Sequence, residues 1–151
     1  GDDFFATRKP AAGIILEQPF QGGVVFTRDF LSVCVHDLTK KRLALLLLPT
    51  SLNIAICRAT LSKFFGWFGE ARAVDVCVDL GWGIGACCEK LQNSQQAIID
   101  HLEGLGVVRK RIMINALCTA CAGRDTPQSD DDYYSSNHGD QGANALVVWF
   151  G

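Results

Sequence analysis

The chain has 151 residues, 48% of them hydrophobic, enough to bury one core and too few for two ordinary domains. A formal charge of −2 and a pI near 5.9 lack the basic excess on which binding to nucleic acid or anionic membranes rests, so neither is an expected partner. No apolar run approaches the roughly 18 residues of a membrane span, and the N-terminus, GDDFFATRKP, is acidic where a secretory leader is basic.

In chain order, GIILEQ (13–18), GVVFT (23–27) and FLSVCVHD (30–37) are short apolar or alternating runs separated by turn residues, which predicts strands. LTKK then forms a polar turn into RLALLLL. Residues 43–48 do not alternate, so this strand is expected to be covered on both faces, as in a layered α/β protein. Pro49, Thr50 and Ser51 end it and offer N-caps for a helix reaching to about Phe68. Ile54, Cys57, Leu61, Phe64, Phe65 and Phe68 fall on one face of that helix, and Leu52, Ala55, Ile56 and Ala59 on a second. With two apolar faces it should pack between layers or against another chain.

AVDVCVDL (73–80) predicts a strand, followed by GWGIGACC (81–88). Leu91, Ile98, Leu102 and Leu105 then predict a short amphipathic helix stopped near Gly104 or Gly106. RIMINAL (111–117) and ALVVWF (145–150) read as further strands, with an irregular, acidic segment, residues 122–143, between them. Together these elements predict a single α/β domain over residues 1–151, built as a layered mixed β-sheet with packed helices.

The glycines at 81, 83 and 85 suggest a phosphate-cradling loop, but the dinucleotide fingerprint wants its third glycine three positions after the second and a helix opening at once; here a cysteine pair follows. No Gly-Lys-Ser/Thr and no G-x-S-x-G elbow occurs. Cys87, Cys88, Cys118 and Cys121 supply four thiols, the ligand type of structural zinc. Adjacent cysteines are poorly spaced for chelation, so packed cysteines at neighbouring strand ends are the favoured reading. An odd total of seven cysteines, several inside apolar segments, points to an intracellular reducing compartment, the cytoplasm or an organelle matrix such as the mitochondrion, rather than to a disulfide framework. His36, His101 and His138 lie in different element types; the first two read as surface residues, and His138, among polar turn residues, is the best placed for function.

Taken together, these motifs resemble the laccase-domain proteins, formerly called polyphenol oxidoreductases and described as zinc-dependent purine nucleoside phosphorylases with adenosine deaminase side activity. Residues 81–88 resemble that family's Gly-Pro-x-hydrophobic-Gly-x-Cys-Cys loop, with Trp82 in place of proline. Leu117-Cys118-Thr119-Ala120-Cys121, then Tyr133-Tyr134-Ser135, a glycine turn at 139–142 and the final ALVVWF resemble its C-terminal pattern. Thr27-Arg28-Asp29-Phe30-Leu31-Ser32-Val33 resembles Thr-Ala-Asp-Cys-x-Pro-Val. The likeness runs over about residues 11–150, and its motifs occur in the family's order. Part of the family's N-terminal portion and a segment after Cys88 have no counterpart.

The resemblance implies a three-ligand zinc site, and this chain departs from it at every ligand. The upstream histidine has no counterpart before His36, the cysteine position is Phe30, and the second histidine position is Leu47, with Leu48-Pro49-Thr50-Ser51 where Ala-Gly-Trp-Arg would stand. Phenylalanine and leucine donate no lone pair, so no metal and no cofactor is expected. The family's basic turn is replaced by Ser136-Asn137-His138-Gly139, removing positive charge that a phosphate substrate would use.

The expected function is therefore that of a catalytically inactive homologue serving as a structural or interaction subunit with other protein subunits, such as those of an organellar ribonucleoprotein or a respiratory complex. The competing expectation is a purine nucleoside phosphorylase or deaminase with a rearranged or intersubunit site, drawing on Asp29, His36, Cys87, Cys88, Cys118, Cys121 or His138 and taking a purine nucleoside and phosphate. A third, thiol-based reading requires one cysteine of depressed pKa.

Overall fold

The structure, a computed structural model, describes residues 13–27, 30–48, 54–67, 75–81, 94–114, 118 and 144–150. Along these residues run β1 (Gly13–Leu16), β2 (Gln21–Thr27), β3 (Leu31–Asp37), β4 (Arg42–Leu48), α1 (Ile54–Trp67), β5 (Val76–Leu80), α2 (Ser94–Gly104), a 3-10 turn (Arg109–Arg111), β6 (Ile112–Ile114) and β7 (Asn144–Phe150). Five strands form a central sheet in the order β1-β4-β3-β5-β6, and β2 pairs with β7 in a separate two-stranded sheet. All pairings are antiparallel except β5 with β6, which is parallel; α2 lies in the crossover that a parallel pair demands.

The non-alternating β4 explains the layering. Ala44, Leu46 and Leu48 face a core shared with the helices, where Val33, Val35, Val76, Val78 and Leu80 meet Cys57, Leu61 and Phe64 of α1 and Ile98, Ile99 and Leu102 of α2. Leu45 and Leu47 point the other way, into a smaller core with Val25, Ile14, Cys34, Leu146 and Val148 beneath the β2–β7 sheet. Every residue from Ala44 to Leu48 is buried, and each large side chain so placed stabilises the fold by about 1.5–3 kcal/mol. The architecture is thus helices, central mixed sheet, small second sheet, as the apolar run predicts.

Of the two arrangements expected for α1, packing between layers is not found: Ala55, Ile56 and Ala59 are exposed, and the helix meets the core through Cys57, Leu61 and Phe64 with Ile54 and Phe65 beside them. One expectation is corrected. His101, expected at the surface, is half-buried; its Nε2 lies 2.9 Å from Ser62 Oγ, a hydrogen bond that ties α2 to α1. The end of α2 falls where the glycines suggest. Gly106 takes φ 94°, and the amides of Val107 and Gly106 donate to the carbonyls of Leu102 (3.0 Å) and Glu103 (2.9 Å), a Schellman closure that glycine makes at no steric cost.

Strand β2 begins two residues before the predicted GVVFT, since Gln21 and Gly22 pair with Phe150 and Trp149. Strands β5 and β6 are shorter than the runs that predict them; residues 73, 74 and 115–117 lie outside the described set, as do Leu52, Phe68, Leu91 and the N-cap candidates 49–51. Among the described residues, no helix is long and apolar enough to cross a membrane.

Candidate functional site at the open end of the β3–β4 hairpin

Strands β3 and β4 pair with Leu31 opposite Leu48 and Ser32 opposite Leu47. Directly opposed residues share a face, so Ser32 and Leu47 both point toward the small second core, and Phe30, one residue before β3, follows the same parity. The main-chain amide of Phe30 donates to Thr27 Oγ1 at 3.2 Å, which joins the end of β2 to the start of β3. Gly81, at the end of β5, donates its amide to the Ser32 carbonyl at 2.9 Å. The end of β2, the mouth of the hairpin and the start of the glycine loop therefore meet at the positions to which the resemblance assigns metal ligands.

What those positions carry is carbon. Leu47 is buried with Val25 and Leu45, and Phe30 is partly open to solvent, neither side chain holding a lone pair. Among the described residues this set does not fit zinc: the polar side chain between the two positions is Ser32, whose hydroxyl is not among the thiolate, imidazole and carboxylate donors that zinc takes. Ser32 is only 2% exposed, and its Oγ has no hydrogen-bond partner among the described residues. A Cβ built on Gly81 would collide with that same Oγ, so the first glycine of GWGIGACC allows a close approach between β3 and the end of β5. Sequence reasoning passed over Ser32; its signal is a lone hydroxyl in a buried strand where the family pattern has proline.

The remaining candidates do not gather here among the described residues. His36 is exposed near the far end of β3, opposite Leu43 and Cys77 and roughly 20 Å along the strand from Phe30. Cys118 is buried. Asp29, Cys87, Cys88, Cys121 and His138 lie outside the described residues. Cys34, two residues beyond Ser32 on the same face, has its thiol pushed up to about 11 by burial and by the Asp79 carboxylate directly across from it. It stays protonated at neutral pH and is no nucleophile. Cys34 and Cys77 are free thiols. No group of three or more histidine, cysteine or acidic side chains among the described residues is placed to hold a metal ion.

At the opposite, closed end of the hairpin sits a polar site of another kind. Asp37 is wholly buried, and its carboxylate accepts hydrogen bonds from the amides of Thr39 (3.0 Å) and Lys40 (2.8 Å) and from Arg42 Nη2 (2.9 Å). Burial alone would raise its pKa, but the Lys40 amide, the Arg42 bond, the Thr39 amide and the Arg42 charge outweigh it and hold the carboxyl below its ordinary value. The Asp37 side chain thereby closes the turn, which Lys41 completes at φ 51°.

No family model matches the chain and no curated protein matches it. Solved structures do match in fold. The chain superposes on the crystal structure of YlmD from Geobacillus stearothermophilus with a TM-score of 0.76 at 14% identity, over 97% of this chain and 64% of that one. The Bacillus licheniformis hypothetical protein YfiH gives 0.70 at 16% identity over 93% and 61%, and the Neisseria meningitidis protein NMB0706, of family DUF152, gives 0.64 at 17% identity over 93% and 64%. The chain thus spans about three fifths of the length of these structures, and its mixed, layered α/β architecture is theirs, the laccase-domain type expected from the motifs.

Proposed function

We propose that this chain works as a structural or interaction subunit on a laccase-domain fold and does not carry out zinc-dependent nucleoside chemistry. One observation carries the reading: at the mouth of the β3–β4 hairpin, the two ligand positions implied by the resemblance are Phe30 and Leu47, and Leu47 is committed to packing against Val25 and Leu45. A side chain filling a core cannot also be a vestigial ligand waiting for a partner. The exposed Ala55, Ile56 and Ala59 on α1 add support, as apolar surface that an interaction subunit can use. An assembly in an organelle matrix, with other protein subunits as partners, is consistent with the reduced cysteines.

The competing enzyme reading, a nucleoside phosphorylase or deaminase completed by another chain, has one foothold among the described residues, the buried and unpartnered Ser32 hydroxyl beside Gly81. Zinc content and turnover decide between the two. Protein purified without chelators is assayed for metal and, with phosphate and added zinc, for phosphorolysis and deamination of adenosine and inosine. The expected result is substoichiometric zinc and no turnover above the protein-free rate. About one tightly held zinc per chain, or turnover abolished in His138→Ala, overturns the proposal.

A further inference from the structure

The inner face of the β2–β7 sheet is spent on the small core, but its outer face is apolar as well. Strict alternation places Gly22, Val24 and Phe26 of β2 on that face, directly opposite Trp149, Val147 and Ala145 of β7. The Trp149 ring spreads over Gly22, close enough that a Cβ there would sit 2.7 Å from Cε3, so the row is continuous from Trp149 to Phe26. Phe26 is 68% exposed, Val147 67%, Trp149 56% and Val24 50%.

The area identifies the kind of partner. At roughly 150–250 Å² for each aromatic side chain and less for each valine, these four partly exposed residues present roughly 450 Å² in one patch. A standard interface buries about 800 Å² per partner, of which a little over half is apolar, so the patch supplies the whole apolar share of one side of a stable complex. The charge pattern narrows it further. Neither strand, QGGVVFT or NALVVWF, holds a charged residue, so the face offers no counter-charge to an acidic or basic partner and meets no like-charge repulsion from itself.

We propose that the outer face of the β2–β7 sheet binds the same face of a second copy of this chain, giving a two-fold symmetric dimer with the two small sheets stacked about 10 Å apart. The dimer centres on the Val24–Val147 pair and buries Phe26 and Trp149 at the two ends of the row, aromatic side chains on which such interfaces usually depend. The proposal names a partner for the interaction role above and rests on that role, not on the absence of turnover.

Sedimentation equilibrium of the full 151-residue chain, with zinc-supplemented turnover measured on the same samples, is the test. The expected mass at tens of micromolar is twice 16.4 kDa. Val147→Glu, which by symmetry buries two unpaired carboxylates, is expected to weaken the dimer at least about 100-fold with an unchanged far-UV circular dichroism spectrum, whereas Ile56→Glu on α1 leaves it intact. Should Val147→Glu fail to fold, hydroxyl-radical footprinting of the wild-type chain answers the same question, Trp149 becoming protected as concentration rises through the dimer range. A 16.4 kDa species up to about 100 µM overturns the proposal. So does a dimer that survives Val147→Glu, or a monomer whose Trp149 is already protected, which would mean that another part of the chain covers the face. A dimer that turns over nucleoside keeps this proposal and sinks the non-catalytic one.

Discussion

The closed end of the β3–β4 hairpin keeps a carboxylate wholly out of water and gives it three hydrogen-bond donors within five residues, from Thr39, Lys40 and Arg42. At the open end of the same two strands, the equivalent depth holds Leu47, the edge of Phe30 and a serine hydroxyl with no partner among the described residues. The difference is one of supply. Asp37 is satisfied within its own turn by Thr39, Lys40 and Arg42, so this polar cluster is written into a contiguous stretch of chain, with Glu17 only approaching Arg42 at 3.8 Å from the end of β1. The open end draws on β2, β5 and the loop after Gly81, and a polar group there depends on contributions from distant parts of the sequence. Locally supplied polar groups support the fold at the closed end, whereas the described residues at the open end bring together mostly apolar side chains.

The largest effect should come from breaking the closed end. Asp37→Asn removes the charge that Arg42 faces, and urea denaturation at pH 7 should show a loss of about 3 kcal/mol, the cost typical of leaving one partner of a buried pair uncompensated. The pH dependence follows from the same geometry. Because the folded-state pKa lies below the ordinary 3.8, this contribution is fully present above that value and is lost as pH falls through the lowered folded-state pKa. Wild type should therefore lose stability in that acid window more steeply than Asp37→Asn; parallel curves would mean that the carboxylate contributes nothing to the turn.

At the open end, Leu47→Ala should cost about 2–3 kcal/mol by chemical denaturation, since the residue fills the core between the two sheets. Leu47→His restores the residue type that the resemblance implies, yet it should destabilise by a similar amount and bring no tightly bound zinc in metal analysis, because the other ligand positions remain empty of donors. A stable, zinc-loaded Leu47→His protein would erase the contrast between the two ends.

The smallest effects sharpen the comparison at the Ser32–Gly81 contact. Gly81→Ala drives a methyl group into Ser32 Oγ and should cost about 1–2 kcal/mol, while Ser32→Ala alone, which deletes a hydroxyl that has no partner among the described residues, should be neutral or stabilising by less than about 1 kcal/mol. In the double variant most of the Gly81→Ala penalty should disappear, a coupling of about 1 kcal/mol in a double-mutant cycle. Additive effects would show that the two strands do not constrain each other there.

Much of this was legible in the chain. The unbroken run at residues 43–48 predicts a strand covered on both sides, the 3.6-residue pattern predicts the buried stripe of α1, and the motif order leads to the fold that the solved structures share. The helix stop near Gly104 or Gly106 is legible because the αL glycine that closes a helix is a local requirement, met here by Gly106. In the sequence Asp37 reads only as the last residue of the strand run 30–37. Its burial arises when the turn folds back and Arg42 swings over it, although an aspartate opening a polar turn of this length is a recognisable signal.

Periodicity, turn chemistry and ligand type are short-range properties, and they alone determined the layered α/β fold and the absence of donor side chains at Phe30 and Leu47. Whether a face is covered is a long-range property. The sequence offers α1 a second apolar stripe and β2 and β7 an alternating pattern, but only the assembled layers decide that Ala55 and Ile56 stay open, that Ser32 is pressed against Gly81, and that the outer row from Trp149 to Phe26 faces away from both cores. Burial depends on which elements arrive opposite one another, and no window of neighbouring residues carries that information.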